Sequence, residues 1–143
     1  MKVLVAYNGT GPAKNALNIA VRMSEAFTVE VHIINSVSIS QSTSETFDFI
    51  ENVPPNQLEN LKKAEKILAE AKEVVEKAGL ENETHLSNRQ LSPGEDIVQL
   101  ANDLAVDFVI VGVRHKSKVG KVLFGSTAQY VILNAPCPVV TTK

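Results

Sequence analysis

The chain has 143 residues, 44% of them hydrophobic and 21% charged, and its 14 Lys and Arg against 16 Asp and Glu leave a formal charge of −2. That length suits one domain, residues 1–143, able to bury a proper core, with no room for a second. The near-neutral total argues against a nucleic-acid binder, the single cysteine (Cys137) excludes an intramolecular disulfide framework, and no apolar run approaches the ~18 residues of a membrane span. With an N-terminal apolar run too short for a signal peptide, the expectation is a soluble, cytoplasmic protein without membrane or nucleic-acid partners.

Residues 2 to 7 (KVLVAY) read as a buried strand that ends in the turn Asn8-Gly9-Thr10-Gly11-Pro12. The period then changes: Ala16, Leu17, Ile19, Ala20 and Met23 recur at helical spacing through Phe27, with Pro12 in the first turn. Val29 to Ile34 reads as a second strand. Residues 36 to 55, rich in Ser and Thr, exceed the usual connection length and read more simply as a lid than as a phosphoacceptor region. Phe47, Phe49 and Ile50 are candidates to pin the far end of that loop.

Leu58 to Ala78 is a long helix with Leu58, Leu61, Leu68, Ala71 and Val75 on one face and Gly79 as its stop. Glu83 to Asn88 is a weak strand. Ser92, Pro93 and Glu95 form the signature of a capping box that opens a helix to Ala105. Phe108 to Val111 is an apolar strand, a helix runs from about Gly125 to Asn134, and Pro138 to Thr142 is a last strand. Five strands alternating with four helices predict an α/β fold, a doubly wound parallel sheet with helices on both faces.

The stretch from Asp107 to Thr127 carries the functional signal. Asp107 is the last acid, so residues 108 to 143 hold Arg114, Lys116, Lys118, Lys121 and Lys143 uncompensated. A strand ending at Gly112, a basic loop and Gly125-Ser126-Thr127 opening a helix suit a phosphate-bearing ligand. A Walker A loop fails, because His115 and Val122 stand where Gly and Ser or Thr are needed. A dinucleotide fingerprint fails as well, with Lys14 at the third glycine position.

Gly112, Gly125 and Ser126 match the G-x2-G-x9-G-[ST] pattern in which the universal stress protein family ends its fourth strand. Asn8-Gly9-Thr10, Ser92-Pro93-Gly94 and the closing Ala135 to Val140 also resemble that family, so the resemblance covers the whole chain. It implies an adenine nucleotide alpha hydrolase-like sheet of order 3-2-1-4-5 and an ATP- or AMP-type ligand at the carboxyl ends of strands one and four. The contacts it implies are Ala6, Tyr7, Asn8, Gly9, Thr10, Ser36, Val37, Val111, Gly112, Arg114, His115, Lys116, Gly125, Ser126 and Thr127.

Two positions depart from the family. Asn8 replaces an aspartate and brings no charge for magnesium, which argues against a metal-assisted triphosphate. His115 replaces the middle glycine and narrows the approach of a phosphate, while Arg114, Lys116 and Lys118 supply compensating charge. Ser126 or Thr127 is expected to cap the fourth helix. His32 and His85, without a partner at ligand spacing, read as structural, and Cys137 as core packing.

No triad, carboxylate pair or metal cluster is evident, so the expected activity is binding or signalling, with slow nucleotide hydrolysis at most a side activity. The alternative is a non-nucleotide dimeric scaffold that has lost the pocket. In either case strand five, Pro138 to Thr142, is an edge that invites a homodimer.

Overall fold

The computed structural model describes residues 1–37, 55–87, 89, 91–114 and 124–143. Nine elements alternate: β1 (Lys2–Ala6), α1 (Gly11–Met23), β2 (Glu30–Ser36), α2 (Pro55–Lys77), β3 (Glu81–Ser87), α3 (Pro93–Leu104), β4 (Phe108–Gly112), α4 (Ser126–Asn134) and β5 (Val139–Thr142). All pairings are parallel and the strand order is β3-β2-β1-β4-β5, as the resemblance implied.

The central strands β1, β2 and β4 are largely apolar and buried because both faces are covered, whereas the edge strand β3 is mostly polar. Val3, Val5, Val31, Ile33 and Ile110 point to one side, where Ala13, Ala16, Leu17 and Ala20 of α1 and Leu68, Ala71 and Val75 of α2 cover them. Leu4, Ile34 and Val109 point to the other side, against Ile97, Leu100 and Ala101 of α3 and Val131 of α4. Alternation along a strand thus feeds two cores with one sequence. Among the described residues, no helix is long and apolar enough to cross a membrane.

Local signals hold with a few corrections. The capping box forms in full: Ser92 accepts from the Glu95 N–H, and the Glu95 carboxylate accepts from the Ser92 N–H at 2.9 Å. Gly79 closes the α2 end with φ of 73°. Leu58, expected on the buried face of α2, is 46% exposed, because Ala64 rather than Leu58 continues the stripe of Leu68, Ala71 and Val75. Phe27 lies beyond the end of α1 and is exposed. Cys137 is half-buried against the α3 and α4 core, where burial and then Asp107 push its thiol up. Phe47, Phe49 and Ile50 lie outside the described residues.

The two strand histidines are not without partners. His32 on β2 and His85 on β3 stack with ring centroids 5.3 Å apart, and His32 Nδ1 lies 3.0 Å from His85 Nε2. The parallel register aligns His32 with Glu83 and Ile34 with His85, so all four side chains share one face. Burial, the largest influence, holds His85 below the usual histidine range despite the opposing pull of Glu83.

Candidate functional site

A cavity of about 320 Å³ opens at the carboxyl ends of β1, β2 and β4, at the low end of the range for small-ligand sites. The strand order reverses between β1 and β4, because β1 is followed spatially by β2 on one side and by β4 on the other. Such a crevice is where open α/β sheets hold ligands.

Three helix N-termini border the cavity, and they differ. Thr10 and Pro12 belong to the start of α1, Pro93 to α3, and Gly125, Ser126 and Thr127 to α4. The first turn of α3 is satisfied by its capping box. Thr10 and Gly125, the N-cap residues of α1 and α4, make no side-chain cap hydrogen bond, and neither helix has an acidic residue in its first turn. Gly11 and Ala13 in the first turn of α1, where Pro12 carries no N–H, and Ser126 to Ala128 in that of α4 therefore present N–H groups without a side-chain cap, together with the positive ends of both helix dipoles. The expectation that Ser126 or Thr127 caps α4 is corrected here: both lie inside the helix, after Gly125. That arrangement turns donors rather than an acceptor toward the cavity.

The walls complement those donors. Ala6, Ile34, Ile97, Val111 and Val113 are apolar, Asn35 and Ser36 contribute polar groups, and Arg114 contributes a cation. No Asp or Glu is among the described lining residues. Tyr7 is buried in the wall, where burial first and then Glu70 raise its phenol and keep it protonated. The combination of an apolar slot and an anion-attracting end fits a ligand with a flat ring and a phosphate.

Of the expected contacts, Ala6, Tyr7, Asn8, Thr10, Ser36, Val111, Gly112, Arg114, Gly125, Ser126 and Thr127 line this cavity. Gly9 does not. Its φ of +79° makes the turn, and a Cβ there would meet Ile67 of α2 at 3.5 Å. Val37 does not line it either; its N–H extends the β2 and β3 pairing by donating to Ser87 O at 2.8 Å. His115 and Lys116, like Lys118 and Lys121, lie outside the described residues.

The glycines divide by cause. A Cβ on Gly112 would stand 2.5 Å from the carbonyl carbon of Pro12, so the helix start requires glycine there. Among the described residues a Cβ on Gly125 would meet nothing within 4 Å, and its φ of −62° suits any residue. Asn8 Oδ1 accepts from the Thr10 N–H at 3.2 Å and the Thr10 hydroxyl at 2.7 Å, which fixes the turn between β1 and α1.

Sequence reasoning missed Asn35 and Asp96. Asn35 is buried at the cavity wall. Asp96, 1% exposed in the first turn of α3, accepts from the Ser36 hydroxyl at 2.5 Å and so orients a lining residue. Its other oxygen, Oδ1, has no hydrogen-bond partner among the described residues. The available signal was an acid just after a capping box, which reads equally well as ordinary helix-dipole complementarity.

Comparison with known proteins agrees with this architecture. A family model described as the universal stress protein family matches residues 1–143. A universal stress protein of Thermus aquaticus is 30% identical over 142 residues, covering 99% of this chain and 97% of its own. Among solved structures, a universal stress protein of Archaeoglobus fulgidus superposes with a TM-score of 0.78 at 28% identity, covering 100% of this chain and 93% of that one. A universal stress protein from the same organism, solved in complex with dAMP, gives 0.76 at 27% identity, covering 100% and 98%.

Proposed function

Because the chain belongs to the universal stress protein family, we propose that it is a stress-response binding module that takes up an adenine nucleotide in the cavity at the ends of β1 and β4. The carrying observation is the pair of helix N-termini, α1 and α4, that face one cavity without side-chain caps while α3 beside them is fully capped. The dAMP complex of the Archaeoglobus relative supports the ligand class.

In this reading the adenine ring lies along Ala6, Ile34, Ile97 and Val111, with Asn35 and Ser36 as polar contacts. The phosphates meet the N–H groups of Ser126 and Thr127 and the Arg114 guanidinium. Gly125 leaves room for them, which accounts for a glycine that neither packing nor backbone conformation demands. His115 and Lys116 extend the phosphate contacts in the same reading.

Binding rather than catalysis follows from the lining. Arg114 and helix N–H groups hold phosphate without supplying a base to activate water, and no carboxylate or histidine stands among the described lining residues. Phosphate charge is met by Arg114 and the loop lysines instead of magnesium, since no acid is among the described lining residues to hold a metal. The protein is further read as a cytoplasmic homodimer that pairs through the edge strand β5.

One observation favours a second reading, a dimeric scaffold without nucleotide: Gly112, the first glycine of the signature, is explained by its contact with Pro12 alone. Mass spectrometry of small molecules released by denaturing freshly purified protein, with equilibrium dialysis against AMP and ATP, separates the two. Release or saturable uptake of an adenosine phosphate supports the binding module; neither supports the scaffold.

A further inference from the structure

We propose that His32, Glu83 and His85 form a binding site for a zinc-type divalent ion on the paired strands β2 and β3, away from the nucleotide cavity. One ligand atom from each lies within 4.8 Å of the others. His32 Nδ1 is 3.0 Å from His85 Nε2 and 3.7 Å from Glu83 Oε2. Tetrahedral coordination with bonds near 2.0 to 2.1 Å puts neighbouring ligand atoms about 3.3 Å apart, so these separations bracket what an ion needs.

Strand geometry builds this set. Glu83 and His85 are two apart on β3 and share a face, and the register puts His32 opposite Glu83. The positions are therefore fixed by the sheet and not by a loop, which is the condition for a preorganised site.

The neighbour of His32 adds an independent argument. His32 Nε2 lies 2.8 Å from Glu30 Oε1. Donating that N–H to the carboxylate leaves Nδ1 as the lone-pair nitrogen aimed at His85, the carboxylate-histidine-metal arrangement found around bound ions. Without an ion, His85 keeps its proton on Nε2 and donates to His32. With an ion, His85 takes the tautomer protonated on Nδ1, and both lone pairs converge on the metal.

Access and donor chemistry agree. His32 is 2% exposed while the Glu83 side chain is 63% exposed, so the anchor is rigid and the third ligand can swing in. His85 also borders a cleft of about 330 Å³ with Thr84, Ser87 and Arg89, which gives an entry path. Arg89, the cation of that cleft, is paired with Asp103 at 3.3 Å. Two imidazoles and one carboxylate suit zinc better than magnesium or calcium, and three protein donors leave a fourth position for water.

The test is calorimetric titration of chelator-stripped full-length protein with zinc chloride, paralleled by the visible absorption of added cobalt(II). The expected result is one ion per chain, with the intense absorption bands of four-coordinate cobalt. His85→Gln and Glu83→Gln, at partly or largely exposed positions and checked for folding by circular dichroism, should each weaken zinc at least tenfold. Glu30→Gln should weaken it about tenfold through loss of orientation, and His115→Gln should leave it unchanged. Absence of saturable zinc binding, equal affinity in wild type and His85→Gln, or loss of binding in His115→Gln would overturn the assignment. Because Glu30, Glu83 and His85 are not among the residues lining the nucleotide cavity, a failure here leaves the nucleotide reading standing.

Discussion

Gly112, the last residue of β4, lies against Pro12 at the start of α1 so closely that a methyl group on it would stand 2.5 Å from the Pro12 carbonyl carbon and 2.7 Å from the Ala13 nitrogen. These are backbone atoms of a helix and cannot rotate away. Gly112→Ala is therefore expected to shift α1 and to cost about 1 to 3 kcal/mol, the usual range for overpacking. Gly125→Ala should change stability little, since its Cβ meets nothing within 4 Å among the described residues. Urea denaturation of both variants checks the contrast; equal losses would show that the two glycines do not differ in role.

Arg114 lines the cavity, and no acid lines it among the described residues. Arg114→Ala should weaken AMP and ATP about tenfold, or ~1.4 kcal/mol, and rising salt should weaken the wild type in the same direction. Binding should be nearly the same with and without magnesium. A strict magnesium requirement in a fluorescence or calorimetric titration contradicts the assignment of phosphate charge to Arg114.

The edge strand offers a sharper test of dimerisation than its sequence suggests. Val109 N–H donates to Pro138 O at 3.1 Å and Val113 N–H donates to Thr142 O at 2.7 Å, so the backbone groups of residues 138, 140 and 142 face β4. Alternation turns the N–H groups of Val139 and Thr141 outward. Thr141→Pro should remove a free edge donor while sparing the β4 ladder, and should yield a folded monomer. Val140→Pro should unfold or aggregate the chain by breaking the ladder itself. Light scattering that finds Thr141→Pro still dimeric rules out the β5 interface.

Glu95 carries a pH dependence of known sign. Hydrogen bonds from the Ser92 side chain first, and from its backbone second, hold the Glu95 carboxyl below the usual range. Its contribution is present above the pKa of the unfolded chain and is lost as pH falls through the lowered folded value. The stability advantage of wild type over Glu95→Gln should thus be full near neutrality and shrink on acidification. An advantage that grows as pH falls contradicts the capping box as its source.

The fold was legible because the apolar period changes from continuous runs to helical spacing at identifiable punctuation, at Asn8 to Pro12, at Gly79 and at Ser92. Most of the cavity was legible too, since the strand ends at Asn8 and Gly112 and the helix start at Gly125 are all marked in the sequence. What the sequence hid depends on approach between distant segments. The Pro12 contact of Gly112 requires knowing how α1 crosses β4. The Ser36 and Asp96 hydrogen bond joins residues sixty apart. The His32 and His85 pair needs the register between β2 and β3, which no local pattern states. The α4 cap was misplaced by one residue because Ser126 is a good cap by type, while the backbone of Gly125 takes that position.

The most direct measurement is calorimetric titration of AMP and ATP into wild type and Gly125→Val. Among the described residues nothing stands within 4 Å of a Cβ at position 125, and its φ is one that valine tolerates, so the variant should fold with near wild-type stability. Its side chain would then fill the space that the proposed reading gives to phosphate at the start of α4. A folded variant whose affinity falls at least tenfold is the predicted result. Equal affinity in the two proteins would place the nucleotide elsewhere and contradict the central claim.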